Sequence, residues 1–118
     1  MTTPEIADKL VALYREGKFE QIYAELYHPQ AKSIEPAYEF GFTSIEGVEN
    51  FPAKSAAFNA MIEEFHSFYV NDPIVAGNSF ALATGYDATM KDAGRKQFDE
   101  IAVYQVKDGK IILEQFFY

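Results

Sequence analysis

The chain has 118 residues and no cysteine, so it is the size of one domain, and disulfide and thiolate chemistry are excluded. Its formal charge of −8 argues against binding to the phosphate backbone of nucleic acids or to anionic membranes. No apolar run approaches the roughly 18 residues that a membrane helix needs, and no secretory signal opens the chain, so we expect a single cytoplasmic domain over residues 1–118.

The first elements in chain order are predicted to be two short helices. Thr3 as N-cap and Pro4 at the first helical position begin the first one, whose apolar residues recur at helical spacing until Gly17 closes it. The second helix has one apolar face and is expected to end at Pro29. Together they should form an antiparallel pair.

The middle of the chain is predicted to add a short strand and a third helix. Residues 31–37 indicate a strand stopped by Pro36, and residues 38–46 indicate a loop or an irregular edge strand. Helical spacing returns over residues 47–62. Pro52 removes a backbone donor there, so we expect a kink or a restart of this helix.

The second half of the chain is predicted to form consecutive antiparallel strands. One strand covers residues 65–70, with a brief continuation at 74–75, and the longest covers residues 80–90. Gly77-Asn78 and residues 92–94 supply the turns between strands. Three helices on the concave side of such a sheet make an α+β fold with a cone-shaped space between the layers.

The closing hairpin has the clearest local signal. Asp108-Gly109 is typical of a type I′ turn, because both residues tolerate positive φ. Both faces of the hairpin are largely apolar, so we expect helices to cover one face and another sheet or subunit to cover the other. The register predicted from a two-residue loop pairs Val106 with Ile111, Tyr104 with Leu113, Ala102 with Gln115 and Glu100 with Phe117.

The order of elements, the closing sequence DGKIILEQFFY and the helix pair divided at Gly17 resemble the SnoaL-like branch of the nuclear-transport-factor-two-like (NTF2-like) superfamily. Ketosteroid isomerase, limonene epoxide hydrolase and the polyketide cyclases are similar in fold. The resemblance spans essentially the whole chain. It implies a cystatin-like cone, a cavity between helices and sheet, and a homodimer through the outer face of the sheet.

The resemblance to ketosteroid isomerase also implies two catalytic candidates. Its general base is an acid on the first strand directly before a proline, and Glu35 holds that place before Pro36. Its protonated oxyanion donor lies at the pocket end of the penultimate strand, where Glu100 stands. Its tyrosine on the first helix corresponds to Leu10, so that tyrosine is missing here, although Tyr14 lies one turn further on the same face.

Each candidate residue also has a structural interpretation. Glu35 is otherwise a surface carboxylate and Glu100 the solvated end of a strand, whereas in a cavity the pKa of Glu100 should lie well above its ordinary value. A lone histidine is more often structural than functional, and most aromatic residues belong to the core whatever the function. The predicted ligand-binding residues are Tyr14, Phe58, His66, Tyr86, Tyr104, Gln115 and Phe117, with Gln115 expected to hold Glu100 by a hydrogen bond.

The sequence leaves three functions open. One is a cofactor-independent enzyme, similar to an isomerase, cyclase or hydratase, in which Glu35 moves a proton and neutral Glu100 stabilises an oxyanion. Another is a non-catalytic protein that binds a small apolar molecule, which the missing helix tyrosine favours. A third is a dimerisation or interaction module whose outer face carries Ile101, Val103, Ile112, Phe116 and Tyr118. Ligand spacing for zinc or calcium and phosphate-binding loops are absent from the sequence, so no metal or cofactor is predicted.

Overall fold

The elements follow the predicted order in a computed structural model of the protein, which describes residues 1–36 and 44–118. The helices are α1 (Thr3–Arg15), α2 (Phe19–Leu26) and α3 (Phe51–Ala60), and a 3-10 turn at Val48–Asn50 precedes α3. The strands are β1 (Tyr27–Ile34), β2 (Ile45–Glu46), β3 (Ile62–Val70), β4 (Ile74–Ala76), β5 (Ser79–Met90), β6 (Gly94–Lys107) and β7 (Lys110–Phe117).

The described strands form one curved, open, seven-stranded sheet. Their order is β2-β1-β7-β6-β5-β3, and β4 pairs with β5. Neighbouring strands are antiparallel except that β1 runs parallel to β7. With three helices on one face, this is the α+β architecture that the sequence predicted. None of the helices in the described part of the chain combines the length and apolar character needed to cross a bilayer.

The cap of α1 lies one residue earlier than predicted. Thr2, not Thr3, is the N-cap: its hydroxyl accepts a hydrogen bond from the backbone N–H of Glu5 at 3.3 Å. The Glu5 carboxylate in turn accepts from the backbone N–H of Thr2 at 2.8 Å. This reciprocal pair satisfies two N-terminal donors of the helix and fixes its start.

The second helix ends before the proline that was expected to stop it. Tyr27 already has extended backbone angles, so α2 ends at Leu26, and Pro29 lies inside β1. The pairing of β1 with β7 is irregular between Tyr27 and Lys32. That irregularity accommodates a residue that has no backbone N–H to donate to the ladder.

The third helix restarts at the predicted place but ends early. Pro52 lies in the first turn of α3, directly after the 3-10 turn, so its missing N–H costs no helical hydrogen bond. The helix ends at Ala60, and Ile62 begins β3 rather than ending the helix. The loop or edge strand predicted for residues 38–46 lies largely outside the described residues, and Ile45–Glu46 forms the short β2.

The closing hairpin has the predicted turn but not the predicted register. Asp108 and Gly109 have φ of 54° and 74°, as a type I′ turn requires. Val106 pairs with Ile111 as expected, and the register then shifts by one residue. The pairs beyond the shift are Gln105 with Leu113, Tyr104 with Glu114, Val103 with Gln115, Ala102 with Phe116 and Ile101 with Phe117.

This shift leaves Ile112 as the extra residue of a β-bulge and exchanges the two faces of the rest of β7. Gln115 and Phe117, predicted to face inward, lie on the outer face with Val103 and Ile101. Glu114 lies on the inner face and is buried. The bulge therefore brings a carboxyl group into the space between sheet and helices.

Candidate functional site

A cavity of about 730 Å³ lies between the sheet and the helices. Its floor is the inner face of β5 and β6, from which Thr84, Tyr86, Phe98, Glu100 and Tyr104 project. This volume falls within the range of small-molecule binding sites. Among residues 1–36 and 44–118, the cone predicted from the sequence therefore encloses a hollow space.

Aromatic rings line the cavity from its opening to its deep end. Phe19, Phe65 and Phe68 are exposed and mark the opening. Tyr14 connects them, since its ring centroid lies 5.0 Å from that of Phe19 and 6.0 Å from that of Phe68. A second cluster at the deep end contains Tyr23, Tyr27 and Phe51 in edge-to-face contacts. Such walls suit a largely apolar, planar ligand.

One wall of the cavity carries an ion pair between Glu35 and Lys54. The Lys54 Nζ lies 2.6 Å from Glu35 Oε1, with 19% and 8% of the two side chains exposed. Glu35 Oε2 accepts a hydrogen bond from the Tyr118 hydroxyl at 2.8 Å. Lys54 also lies 5.4 Å from the centroid of the Phe116 ring, within the range of a cation–π contact. Both oxygens of the Glu35 carboxylate are thus occupied.

The same lysine leads to a second buried carboxyl group. Lys54 Nζ donates to the Ser33 hydroxyl at 2.8 Å, and that hydroxyl donates to Glu114 Oε2 at 2.7 Å. The Tyr27 hydroxyl donates to Glu114 Oε1. Burial raises the pKa of Glu114, although the hydrogen bonds from Tyr27 and Ser33 oppose that effect. Both of its oxygens are therefore also taken.

Glu100 differs from these two acids because nothing in the described residues pairs with its carboxyl group. Burial raises its pKa to about 7, and the negative charges of Glu35 and Glu114 add to that effect. Its backbone lies opposite Thr84 of β5, in the floor of the cavity. The raised pKa agrees with the direction predicted from the sequence.

A family model described as a SnoaL-like domain matches residues 1–118. The chain belongs to the SnoaL-like family. No curated protein sequence matches it. The solved structures that are similar to this SnoaL-like domain include the following three. A Mesorhizobium loti protein, provisionally described as a SnoaL-like polyketide cyclase, is 34% identical, with a TM-score of 0.90 and all of both chains covered.

The other two structures are more distant. A Catenulispora acidiphila protein with a ketosteroid isomerase-like fold, in complex with trimethylamine, is 20% identical, with a TM-score of 0.74 over 99% of this chain and 87% of that one. TerC, co-crystallised with polyporic acid, is 16% identical, with a TM-score of 0.74 over 98% of this chain and 91% of TerC. At these identities the likeness concerns the fold alone.

The helix tyrosine of ketosteroid isomerase has no direct counterpart in this SnoaL-like domain. Leu10 lines the cavity at the corresponding place. Tyr14 reaches the same space, but its hydroxyl lies 3.0 Å from that of Thr84. The Thr84 hydroxyl also lies 2.9 Å from the carbonyl oxygen of Tyr69, which can only accept. Tyr14 is therefore held by β5 rather than left free at the cavity surface.

The structure brings most of the predicted site residues together. The residues that line the cavity are Glu35, Glu100, Tyr14, Phe58, Tyr86 and Tyr104. His66 does not line it, and its Nε2 lies 2.7 Å from the Thr89 hydroxyl. The inward placement predicted for Gln115 and Phe117 is wrong because of the bulge at Ile112, so Gln115 does not hold Glu100.

The residues that were not predicted to belong to the site include those of its polar network: Tyr27, Ser33, Lys54, Glu114 and Tyr118. Glu114 and Tyr118 were assigned to the outer face by the regular register, as was Phe116, which also lines the cavity. The sequence does contain one indication of the role of Lys54. A lysine on a predicted helix can form an ion pair with an acid at the end of the strand against which that helix packs. Within the described residues, no three histidine, aspartate or glutamate side chains gather as a metal site would require.

Proposed function

We propose that this SnoaL-like protein binds a small, largely apolar molecule in the cone and moves a proton to or from it through Glu100. The observation that supports this most is the state of Glu100. Of the three glutamates lining the cavity, it alone makes no hydrogen bond or ion pair with the described residues. A carboxyl group with a pKa near 7 is present in both forms at neutral pH, so it can take a proton and return it.

Glu35 suits a supporting role better than that of general base. Its carboxylate is paired with Lys54 and accepts from Tyr118. Removing a proton from the ligand would require it to break one of these contacts. Its negative charge instead acts on Glu100, whose pKa it raises. These roles differ from those that the resemblance to ketosteroid isomerase implies. Glu100, not Glu35, takes and returns the proton, and the charge of Glu35 sets the affinity of Glu100 for that proton.

The proposed reaction class is cofactor-independent proton transfer at a carbon beside a carbonyl group, as in isomerisation or cyclisation. The apolar walls exclude water from the ligand, which strengthens the action of Glu100 on it. The Mesorhizobium loti protein, provisionally described as a SnoaL-like polyketide cyclase, supports the choice of an organic ligand.

Deuterium exchange tests this proposal with model ketones in place of the natural substrate. A panel of enolisable ketones is incubated with the protein in D2O, and deuterium uptake is followed by mass spectrometry. We expect the wild-type protein to accelerate uptake by at least one ketone and Glu100→Gln to lose that acceleration. Glu63→Gln is the matched control, because Glu63 is exposed on β3 and lies outside the cavity. Equal rates in wild type and Glu100→Gln would refute the role of Glu100.

A non-catalytic binding protein is the second candidate, favoured by Leu10 at the place of the isomerase tyrosine. In that case the same panel would raise the melting temperature of the protein without any acceleration of deuterium uptake. The two candidates therefore separate within one set of compounds.

We also propose a homodimer through the outer face of the sheet. Ile101 of β6 and Phe117 of β7 are paired on that face. In a single chain, Ile101 is 46% exposed and Phe117 is 50% exposed. Such adjoining apolar side chains are typical of a surface that a second copy covers.

A further inference from the structure

We propose that the hydroxyl group of Tyr104 binds the oxygen atom of an enolisable ketone at the deep end of the cavity. This inference rests on the proposed function of Glu100 and deepens it, because it names the substrate class and the group that stabilises the negative charge developing on the ketone oxygen. The oxyanion donor of this SnoaL-like domain then lies on β6, whereas the tyrosine of ketosteroid isomerase lies on the first helix.

Tyr104 is the most enclosed hydroxyl group in the described residues that lacks a partner. Only 3% of Tyr104 is exposed, and its ring stacks on Phe80 with centroids 4.8 Å apart. No hydrogen bond of its hydroxyl occurs within residues 1–36 and 44–118. Since every fully enclosed side-chain oxygen and nitrogen there does have a partner, the Tyr104 hydroxyl is open to the cavity.

Most other tyrosine hydroxyls around the cavity already have partners. Tyr27 donates to Glu114, Tyr23 lies 2.8 Å from the Ser55 hydroxyl, Tyr14 lies by Thr84, and Tyr118 donates to Glu35. The Tyr104 hydroxyl is open to the cavity and has no acceptor among the described residues, so a ligand that supplies an acceptor gains a hydrogen bond at this position. Tyr86 is also unpaired in the described residues, but it is only partly buried.

The position of Tyr104 relative to Glu100 fits a ketone. Both project from the inner face of β6, and Ala102 between them is fully buried and small. Side chains at alternate positions of a strand share a face, and both Glu100 and Tyr104 line the cavity, so one ligand can touch both. Burial raises the pKa of the Tyr104 hydroxyl well above its ordinary value, and the negative charges of Glu114 and, to a smaller extent, Glu100 add to that effect. That hydroxyl is consequently a neutral donor at physiological pH.

The proposed step is balanced without any other reactant. The Glu100 carboxylate takes a proton from the carbon beside the carbonyl group, and the C–H bond breaks. Its electron pair forms a carbon–carbon double bond, and the carbonyl π pair moves to oxygen, where the Tyr104 O–H donates to it. Return of a proton from Glu100 to the same carbon regenerates the carboxylate and the ketone, and that carbon takes up deuterium when the carboxyl group has first exchanged its proton with D2O. In a ketone with a β,γ carbon–carbon double bond, return of the proton to the γ carbon completes an isomerisation.

The test compares 2-tetralone, an enolisable bicyclic ketone, with tetralin, the same skeleton without oxygen. Dissociation constants are measured by NMR titration for the wild-type protein and for Tyr104→Phe. We expect the wild-type protein to bind the ketone about five- to tenfold more tightly than the hydrocarbon, as one buried hydrogen bond allows, and Tyr104→Phe to lose that preference. Tyr69→Phe is the matched control, because Tyr69 does not line the cavity and its hydroxyl donates to Asp99 at an exposed position.

The outcomes separate this inference from the proposed function. Wild-type protein that binds neither compound, or binds both equally, overturns the inference, as does an unchanged preference in Tyr104→Phe. Deuterium uptake that Glu100→Gln abolishes and Tyr104→Phe leaves intact would retain the role of Glu100 and remove that of Tyr104. A ketone preference that depends on Tyr104, without any deuterium uptake, would retain the oxygen site and remove proton transfer. Because the Tyr104 hydroxyl has no partner within the described residues, Tyr104→Phe should unfold at the same urea concentration as wild type.

Discussion

The ammonium group of Lys54 lies 2.6 Å from the carboxylate of Glu35 and 2.8 Å from the hydroxyl of Ser33. Lys54 belongs to α3, whereas Ser33 lies in β1 and Glu35 is the first residue after that strand. This one cation therefore fastens a helix to the strand below it. The Ser33 hydroxyl in turn donates to Glu114. Lys54 therefore contacts one of the three acids in the cavity directly and a second through Ser33.

Replacing Lys54 should destabilise the protein strongly. Lys54→Met leaves Glu35 enclosed without its cation, and removal of one partner of a buried ion pair costs about 3 kcal/mol of the free energy of unfolding. Urea unfolding followed by circular dichroism measures the loss. Lys32→Met is the control, since Lys32 lies beside Ser33 in β1 but is exposed and forms no ion pair in the described residues. Losses of similar size in both variants would contradict the importance of the pair.

Glu100 should make the protein less stable as the pH rises from about 4.5 to about 7. Its pKa is raised from 4.5 to about 7 in the folded protein, so in this range the folded state binds a proton that the unfolded state has released. The free energy of unfolding then falls with pH, by about 3 kcal/mol in total at about 1.4 kcal/mol per pKa unit. The contribution of this group is fully present below pH 4.5 and lost above pH 7.

The variant Glu100→Gln isolates this contribution. It should match the wild-type protein in stability near pH 4 and exceed it by up to about 3 kcal/mol at pH 8, because glutamine has no charge to bury. Urea unfolding at several pH values measures the difference, and Glu63→Gln, at an exposed position, should show no comparable trend. A constant difference between Glu100→Gln and wild type across this range would mean that Glu100 ionises at its ordinary pKa.

The charge of Glu35 should be visible in the titration of Glu100. Glu35 is the largest electrostatic contributor to the raised pKa of Glu100 after burial itself. Glu35→Gln removes that negative charge, so the pKa of Glu100 should fall from about 7 toward its ordinary value, while Lys54→Met should raise it. NMR titration of the glutamate side-chain carboxyl carbons follows both shifts. An unchanged pKa of Glu100 in both variants would show that the three groups are not electrostatically coupled.

The fold could be predicted because its elements depend on local signals. The cap and proline at the start of α1, the restart at Pro52 and the turn at Asp108-Gly109 each act within a few residues. Boundaries that depend on neighbours were less accurate. Pro29 was expected to end α2, but it is tolerated inside β1 because pairing with β7 is irregular there.

The site was predicted only in part because it depends on register and on long-range contacts. Glu35 and Glu100 line the cavity as predicted. Glu114 was missed since one bulge residue, Ile112, moves it to the inner face, and a bulge in a run of apolar residues leaves no clear sequence signal. Lys54 and Glu35 are far apart in the chain. The sequence shows that both residues are charged, but it does not show that they form an ion pair.

The hydrogen bond from Tyr27 to Glu114 should contribute to stability. Tyr27→Phe leaves one oxygen of the buried Glu114 carboxyl group without its donor, which should cost about 2 kcal/mol. It should also raise the pKa of Glu114 further, because the lost hydrogen bond is one that lowers it. Tyr69→Phe removes an exposed hydroxyl from its contact with Asp99 and should cost much less. Equal effects of the two substitutions in urea unfolding would argue against a buried, bonded Glu114.

The proposed dimer makes a last prediction about the outer face of the sheet. Ile101→Glu places a charge beside Phe117 on the apolar surface, where burial against a second copy would remove water from the carboxylate. Sedimentation velocity should show a dimer for the wild-type protein and a monomer for Ile101→Glu. Met61→Glu is the control, since Met61 is also exposed but follows α3 and lies away from this face. A monomeric wild-type protein at all concentrations, or a dimer that survives Ile101→Glu, would assign another role to this apolar surface.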